Sequence, residues 1–126
     1  MAIAFEPLSI FDASAARDFA RVGDVNFYAQ EHASGHCALF AVKDGKQRVG
    51  SVLFCSETKP MSGEKIFAVV AASTFSKRSI LKDGKELISE YARNTGHHTV
   101  KFYTTRPKLA EWFVKEGARA KITWSV

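Results

Sequence analysis

Two hydrophobic periods alternate along the second half of the chain. Ile66–Ala72 is an unbroken apolar run rich in Ile, Val and Phe. It is too short for a buried helix and fits a strand covered on both faces. From Ser76 the spacing changes: Ile80, Leu81, Gly84, Leu87, Ile88, Tyr91 and Ala92 recur at three and four residues. That spacing predicts a helix reaching Asn94, stopped by Thr95-Gly96. Thr99–Thr105, carrying Val100, Phe102 and Tyr103, predicts a second strand. A strand, a helix and a strand of these lengths form a right-handed crossover, so the two strands are expected to be parallel neighbours. A further helix follows, with Thr105 as its cap, Pro107 in its first turn, Leu109, Ala110, Phe113 and Val114 as its stripe, and Gly117 as its end. Ala120–Ser125 predicts a last strand. Gly84 falls on the apolar face of the first helix, where close approach of helix to sheet would explain it.

The first half is patterned differently. Ala2–Glu6 alternates as a strand does, and Pro7 places that strand at a sheet edge. Asp12 and Asp24 each precede a helical stretch, the first ending at Val22-Gly23 and the second reaching Gln30 or His32. Ala38–Lys43 and Gln47–Cys55 read as strands joined by Asp44-Gly45, the strongest hairpin signal in the chain. Glu57–Glu64 is a turn-rich loop. The elements make a mixed α/β (α+β) chain, with an antiparallel hairpin ahead of a β-α-β-α-β half.

Composition narrows the classes rather than choosing one. The chain has 126 residues, 46% hydrophobic and 25% charged, as expected of one globular domain spanning residues 1–126. No run is long enough to span a membrane and no leader pattern opens the chain, so a cytoplasmic location is expected. The formal net charge of +5 favours anionic partners, whether nucleic acid or a polyphosphate cofactor. Acids at Asp83, Glu86, Glu90, Glu111 and Glu116 interleave with the basic residues, which reads as a solvated surface before a nucleic-acid platform. Cys37 and Cys55 fall on the two arms of the hairpin and are expected to be reduced core thiols. His32 and His36 are spaced as a helix-borne metal pair would be, but Ser34-Gly35 breaks the helix between them. With no convergent set of three ligands in view, no metal is expected. No G-x-S-x-G is present either.

The order of elements from the hairpin ALFAVKDGKQRVGSVLF (38–54) to WFVKEGA (112–118) resembles the GNAT family of N-acetyltransferases. The resemblance implies an acyl-CoA, such as acetyl-CoA, lying where the two parallel strands splay, along the central strand at Val70 and Ala72. It also implies direct attack by an acceptor amine on the thioester, with a strand backbone N–H on the developing oxyanion. In that family a glycine-rich turn before the central helix receives the pyrophosphate on free N–H groups. Here the turn reads Ser76-Lys77-Arg78-Ser79-Ile80, and two cations and two hydroxyls stand where glycines are usual. The family's thiolate-protonating tyrosine, four residues before the last helix's glycine, is replaced by Phe113.

Tyr103 is the candidate substitute acid, weighed against a strand aromatic packed on a helix. Arg106 is a candidate phosphate contact. The leading expectation is therefore an atypical GNAT-like N-acyltransferase. The alternative is a GNAT-shaped binding or structural module that has lost the cofactor site and meets a protein partner, similar to small phage-encoded proteins of the virion or assembly type.

Overall fold

A computed structural model describes residues 3–75, 80–104 and 106–119. In chain order the elements are β1 (Ile3–Leu8), α1 (Ala13–Phe19), α2 (Val25–Ala33), β2 (Ala38–Asp44), β3 (Gln47–Thr58), β4 (Lys65–Thr74), α3 (Leu81–Asn94), β5 (Thr99–Phe102) and α4 (Pro107–Lys115). The strands form one sheet in the order β1-β2-β3-β4-β5. The first three junctions are antiparallel and β4 pairs with β5 in parallel. The crossover expected from the strand–helix–strand order is thus present. Ala120–Ser125, expected as a last strand, lies outside the described residues.

Local chemistry explains where the elements begin and end. Asp12 caps α1 by accepting from the Ala15 N–H at 2.8 Å, and Asp24 caps α2 through Asn26 N and Phe27 N. Pro7 sits inside β1 opposite Phe40, on an edge strand, the position in a sheet where a residue without an N–H is tolerated. Asp44 pairs directly with Gln47, so the hairpin turns on Gly45-Lys46 with Gly45 at φ +65°. That positive φ at the first central residue is a type II′ arrangement, matched to strand twist. Gly96 at φ +83° and Gly117 at φ +97° close α3 and α4. The cap of α4 is Arg106, whereas the expected cap, Thr105, lies outside the described residues.

The sheet carries a core on each face. On one, Phe40, Phe54 and Phe67 meet Leu87, Ile88 and Tyr91 of α3. The rings of Phe54 and Phe67 stand 4.7 Å apart, and Tyr91 meets Phe40 edge-on at 5.2 Å. On the other, Ala15 and Phe19 of α1 pack with Leu39, Leu53, Ala68 and Ala71, joined by Tyr28 of α2. Truncating one of these buried phenylalanines to alanine would cost about 3–5 kcal/mol.

Two glycines depart from or refine the sequence reading. Among the described residues a Cβ built on Gly84 meets nothing within 4 Å, so close approach of α3 to the described strands does not explain that residue. Close approach occurs instead at Gly50 of β3, where a Cβ would stand 2.2 Å from the Ser73 carbonyl oxygen.

Candidate functional site

The parallel pairing of β4 and β5 is short. It runs from Ile66↔Thr99 to Val69↔Phe102 and stops, while β4 continues to Thr74 on β3 alone. The cause is visible in the ladder with β3. Leu53 pairs with Ala71 and Phe54 with Val69, leaving Val70 as an extra residue on β4. A bulge of this kind bends its strand and increases local twist. Val70 therefore joins Ala71 on the core face of α1 and α2, and beyond it β4 diverges from β5.

A cleft of about 250 Å³ opens there. Its floor is Ala68 and Val70, with Cys55 and Glu57 of β3 on one side and Lys101 and Tyr103 of β5 on the other. Phe27 and Glu31 of α2, with His36 and Cys37, form the opposite wall. Lys101 pairs with the central strand at Ala68, and its ammonium reaches the Glu57 carboxylate in an ion pair. The hydrogen bond it donates to Glu57 is the main reason its pKa is raised. The same ammonium stands 5.8 Å from the centre of the Tyr103 ring. On the α2 wall Glu31 pairs with His36, and the Cys37 thiol faces the same carboxylate oxygen at 4.0 Å. Burial pushes the Cys37 thiol up to about 12, with smaller contributions from neighbouring Cys55 and Glu31. Cys55 is raised by burial as well. Both cysteines are free and buried.

Several solved structures share this fold. An acetyltransferase from Trypanosoma brucei superposes with a TM-score of 0.69 at 14% identity, over 98% of this chain and 97% of the other. A ribosomal-protein-alanine N-acetyltransferase from Brucella melitensis biovar Abortus gives 0.68 at 16% identity, over 99% and 97%. A predicted acetyltransferase from Clostridium acetobutylicum, solved with acetyl-CoA, gives 0.68 at 10% identity, over 98% and 94%. The chain has the GNAT acetyltransferase fold. No family model and no curated protein matches the sequence.

Within the GNAT-like frame, the residues singled out from sequence fall in different places. Val70 is the bulge residue and lines the cleft. Ala72 lies beyond the last β4–β5 pair and is exposed. Ser76, Lys77, Arg78 and Ser79 lie outside the described residues. Ile80 is the N-cap of α3, supplies no side-chain cap, and packs against the aromatic core.

Tyr103 is not packed on a helix, contrary to the bland expectation for a strand aromatic. It is 84% exposed at the lip of the cleft, because β5 ends one residue earlier. Arg106 is exposed at the start of α4, its backbone N–H bonded to Thr104 Oγ1 at 3.1 Å, and it does not line the cleft. Phe113 packs on Phe102 with ring centres 4.6 Å apart.

Sequence reasoning missed Glu31, His36, Glu57 and Lys101 as cleft residues. Lys101 carried a detectable signal, since it lies on a strand that the pattern had already placed and pairs with Ala68. Glu57 did not: it was expected to open a loop, whereas β3 runs on to Thr58 and pairs Glu57 with Ile66. A second groove is lined by Lys82, Lys85 and Arg93 together with Glu86 and Glu116. Both signs meet there, as the interleaved charges on the two helices suggested.

Proposed function

We propose that this chain is an acyl-CoA-dependent N-acyltransferase that passes an acyl group, such as acetyl from acetyl-CoA, to an amine. The observation that carries the reading is the end of β4–β5 pairing at Val69 and Phe102, with the Val70 bulge beside it. An extended thioester arm needs a strand edge with free backbone groups, and β4 beyond Val69 has no β5 partner to take them. Among the described residues the groups fit such a ligand: an open strand edge at Val70 and Ala72, then a helix whose N-cap, Ile80, supplies no side-chain acceptor.

The acyl-CoA supplies an activated thioester carbonyl. The chain's part is positioning and charge. Backbone N–H groups at Val70 and Ala72 hold the arm and stabilise the carbonyl oxygen as it gains charge. The segment from Ser76 to Ile80 receives the pyrophosphate, with Lys77 and Arg78 adding the charge that glycines do not, and Ser76 and Ser79 adding hydroxyls. Arg106 is a further phosphate contact from the start of α4. Tyr103, at the cleft lip, donates its phenolic proton to the departing thiolate. The acceptor amine approaches from the α2 side of the cleft. No helix among the described residues is long and apolar enough to cross a membrane, and we place the reaction in the cytoplasm.

A second reading has one observation behind it. Phe113 is locked against Phe102, so the position the fold usually gives to a thiolate-protonating tyrosine is an apolar plug. A GNAT-shaped module of the virion or assembly type, recognising a protein partner, would tolerate that plug.

Thiol release from acetyl-CoA, measured across a panel of polyamines, aminosugars and peptide N-termini, separates the two. The enzyme reading predicts amine-dependent release that Tyr103→Phe lowers by about a hundredfold, the usual scale for a positioned general acid. Release at the buffer rate with every amine would leave only the binding module.

A further inference from the structure

The α2 wall of the cleft brings together three side chains that the sequence separates. Glu31 lies in the last turns of α2, and the chain then reverses through Ser34 and Gly35, the latter at φ +80°. This turn is tied to Glu31 itself. The Glu31 carbonyl accepts from the Cys37 N–H at 3.0 Å and from Ser34 Oγ at 3.2 Å, and the His36 N–H donates to Ser34 Oγ at 3.4 Å. His36 and Cys37 are thereby folded back over the Glu31 side chain. Glu31 Oε2 meets both His36 Nδ1 and Cys37 Sγ, and the three atoms lie within 4.8 Å of one another.

We propose that Glu31 Oε2, His36 Nδ1 and Cys37 Sγ bind one divalent cation of the zinc class, with a fourth coordination position open to the cleft. Bonds of about 2.0–2.3 Å in a tetrahedron put ligand atoms about 3.2–3.8 Å apart. To reach that range the 4.0 Å between Cys37 Sγ and Glu31 Oε2 closes slightly, and the Glu31–His36 hydrogen bond opens as the ion replaces the proton between them. The donor set decides the ion. A thiolate, an imidazole and a carboxylate suit zinc, cobalt or nickel and are a poor match for magnesium or calcium.

Charge agrees: a thiolate and a carboxylate give two negative charges against the ion's two positive ones. On binding, the Cys37 S–H bond breaks, the sulfur–metal bond forms and the proton leaves to buffer. A bare Glu31–His36 ion pair would account for two of the three groups, but not for a buried thiol on the same carboxylate oxygen. His32, the residue whose spacing suggested a metal pair, instead stands 6.3 Å from the Phe11 ring and takes no part. Cys55, buried beside Cys37 on β3, is outside the triple.

The site is independent of the acyl-transfer reading and is tested without it. Untagged, metal-free protein with both thiols kept reduced is titrated with Co²⁺ and followed by absorption. One equivalent should give d–d bands of tetrahedral intensity with thiolate-to-cobalt charge transfer, and Zn²⁺ should bleach both. His36→Ala, at an exposed position where folding is safe, should weaken Co²⁺ binding by more than about tenfold, the loss expected for even an outer-sphere partner. Cys37→Ser should abolish the charge-transfer band while Cys55→Ser keeps it. The proposal is overturned by no saturable cobalt spectrum, by a charge-transfer band that survives Cys37→Ser, or by one lost only with Cys55→Ser.

Discussion

Replacing Asp12 should separate two contributions that meet on one carboxylate. Asp12 Oδ1 caps α1 through the Ala15 N–H, while Arg48 binds both oxygens, Nη1 to Oδ2 at 2.6 Å and Nη2 to Oδ1 at 3.2 Å. Arg48 also donates to Ser51 Oγ at 3.0 Å, and Ser51 donates to the buried Asp18 carboxylate at 2.7 Å. A chain of polar groups thus pins α1 to β3. Removing a side-chain cap costs about 1 kcal/mol. The charged pair is partly screened, since the Asp12 side chain is 38% exposed, so it contributes about 1–2 kcal/mol.

Asp12→Ala, which loses both, should therefore destabilise by about 2–3 kcal/mol, and Asp12→Asn, which keeps the cap, by about 1–2 kcal/mol. The pH dependence has a definite sign. The Arg48 hydrogen bond, opposed by burial and helped by the Ala15 N–H, holds the Asp12 carboxyl below the ordinary aspartate range. Its stabilisation is complete above the unfolded-state value and is lost as pH falls through the folded-state value. Urea titrations at pH 7 and at successively lower pH down to 3 should show the parent's advantage over Asp12→Asn shrinking with acid. Equal midpoints for parent and Asp12→Asn at pH 7, or a difference that does not move with pH, would refute this account of the network.

Gly84→Ala should stabilise the fold by about 0.5–1 kcal/mol, because the added methyl meets open space in a helix interior; a loss in thermal unfolding would mean close packing after all. Lys77→Ala with Arg78→Ala should weaken CoA binding by about 2–4 kcal/mol, less at high salt, with little effect on stability; equal calorimetric affinity would move the pyrophosphate elsewhere. Cys37, with its thiol at about 12, should resist iodoacetamide at pH 8 in the metal-free native protein and react freely in denaturant, as read by mass spectrometry; rapid native labelling would contradict its burial.

Much of the fold was legible because its signals are local. The Asp12 and Asp24 caps, Gly96, Gly117 and the hairpin glycine each act within a few residues of the backbone they shape. The parallel pair was legible through the helix that joins it. What escaped was set by distance in three dimensions. Gly84 and Gly50 look alike in sequence, yet only Gly50 faces another strand's carbonyl. The Val70 bulge exists because β3 and β4 differ in count between two pairings, and no single segment records that. The helix break at Ser34-Gly35 was legible and set His32 and His36 apart, but the turn that then delivers His36 to Glu31 is a contact no spacing rule records. Tyr103 was weighed as a packed aromatic because strand aromatics usually are, but its strand stops just short of it.

Backbone amide shifts under titration with acetyl-CoA test the central claim most directly, since a chain of 126 residues gives a resolvable nitrogen–proton spectrum. If the thioester arm lies along the open edge of β4, saturable shifts should concentrate on Val70–Thr74 and on Tyr103 and Thr104 across the gap, with β1 and β2 unmoved. No shift at millimolar acetyl-CoA, or saturable shifts confined to residues away from the β4–β5 gap, would contradict it.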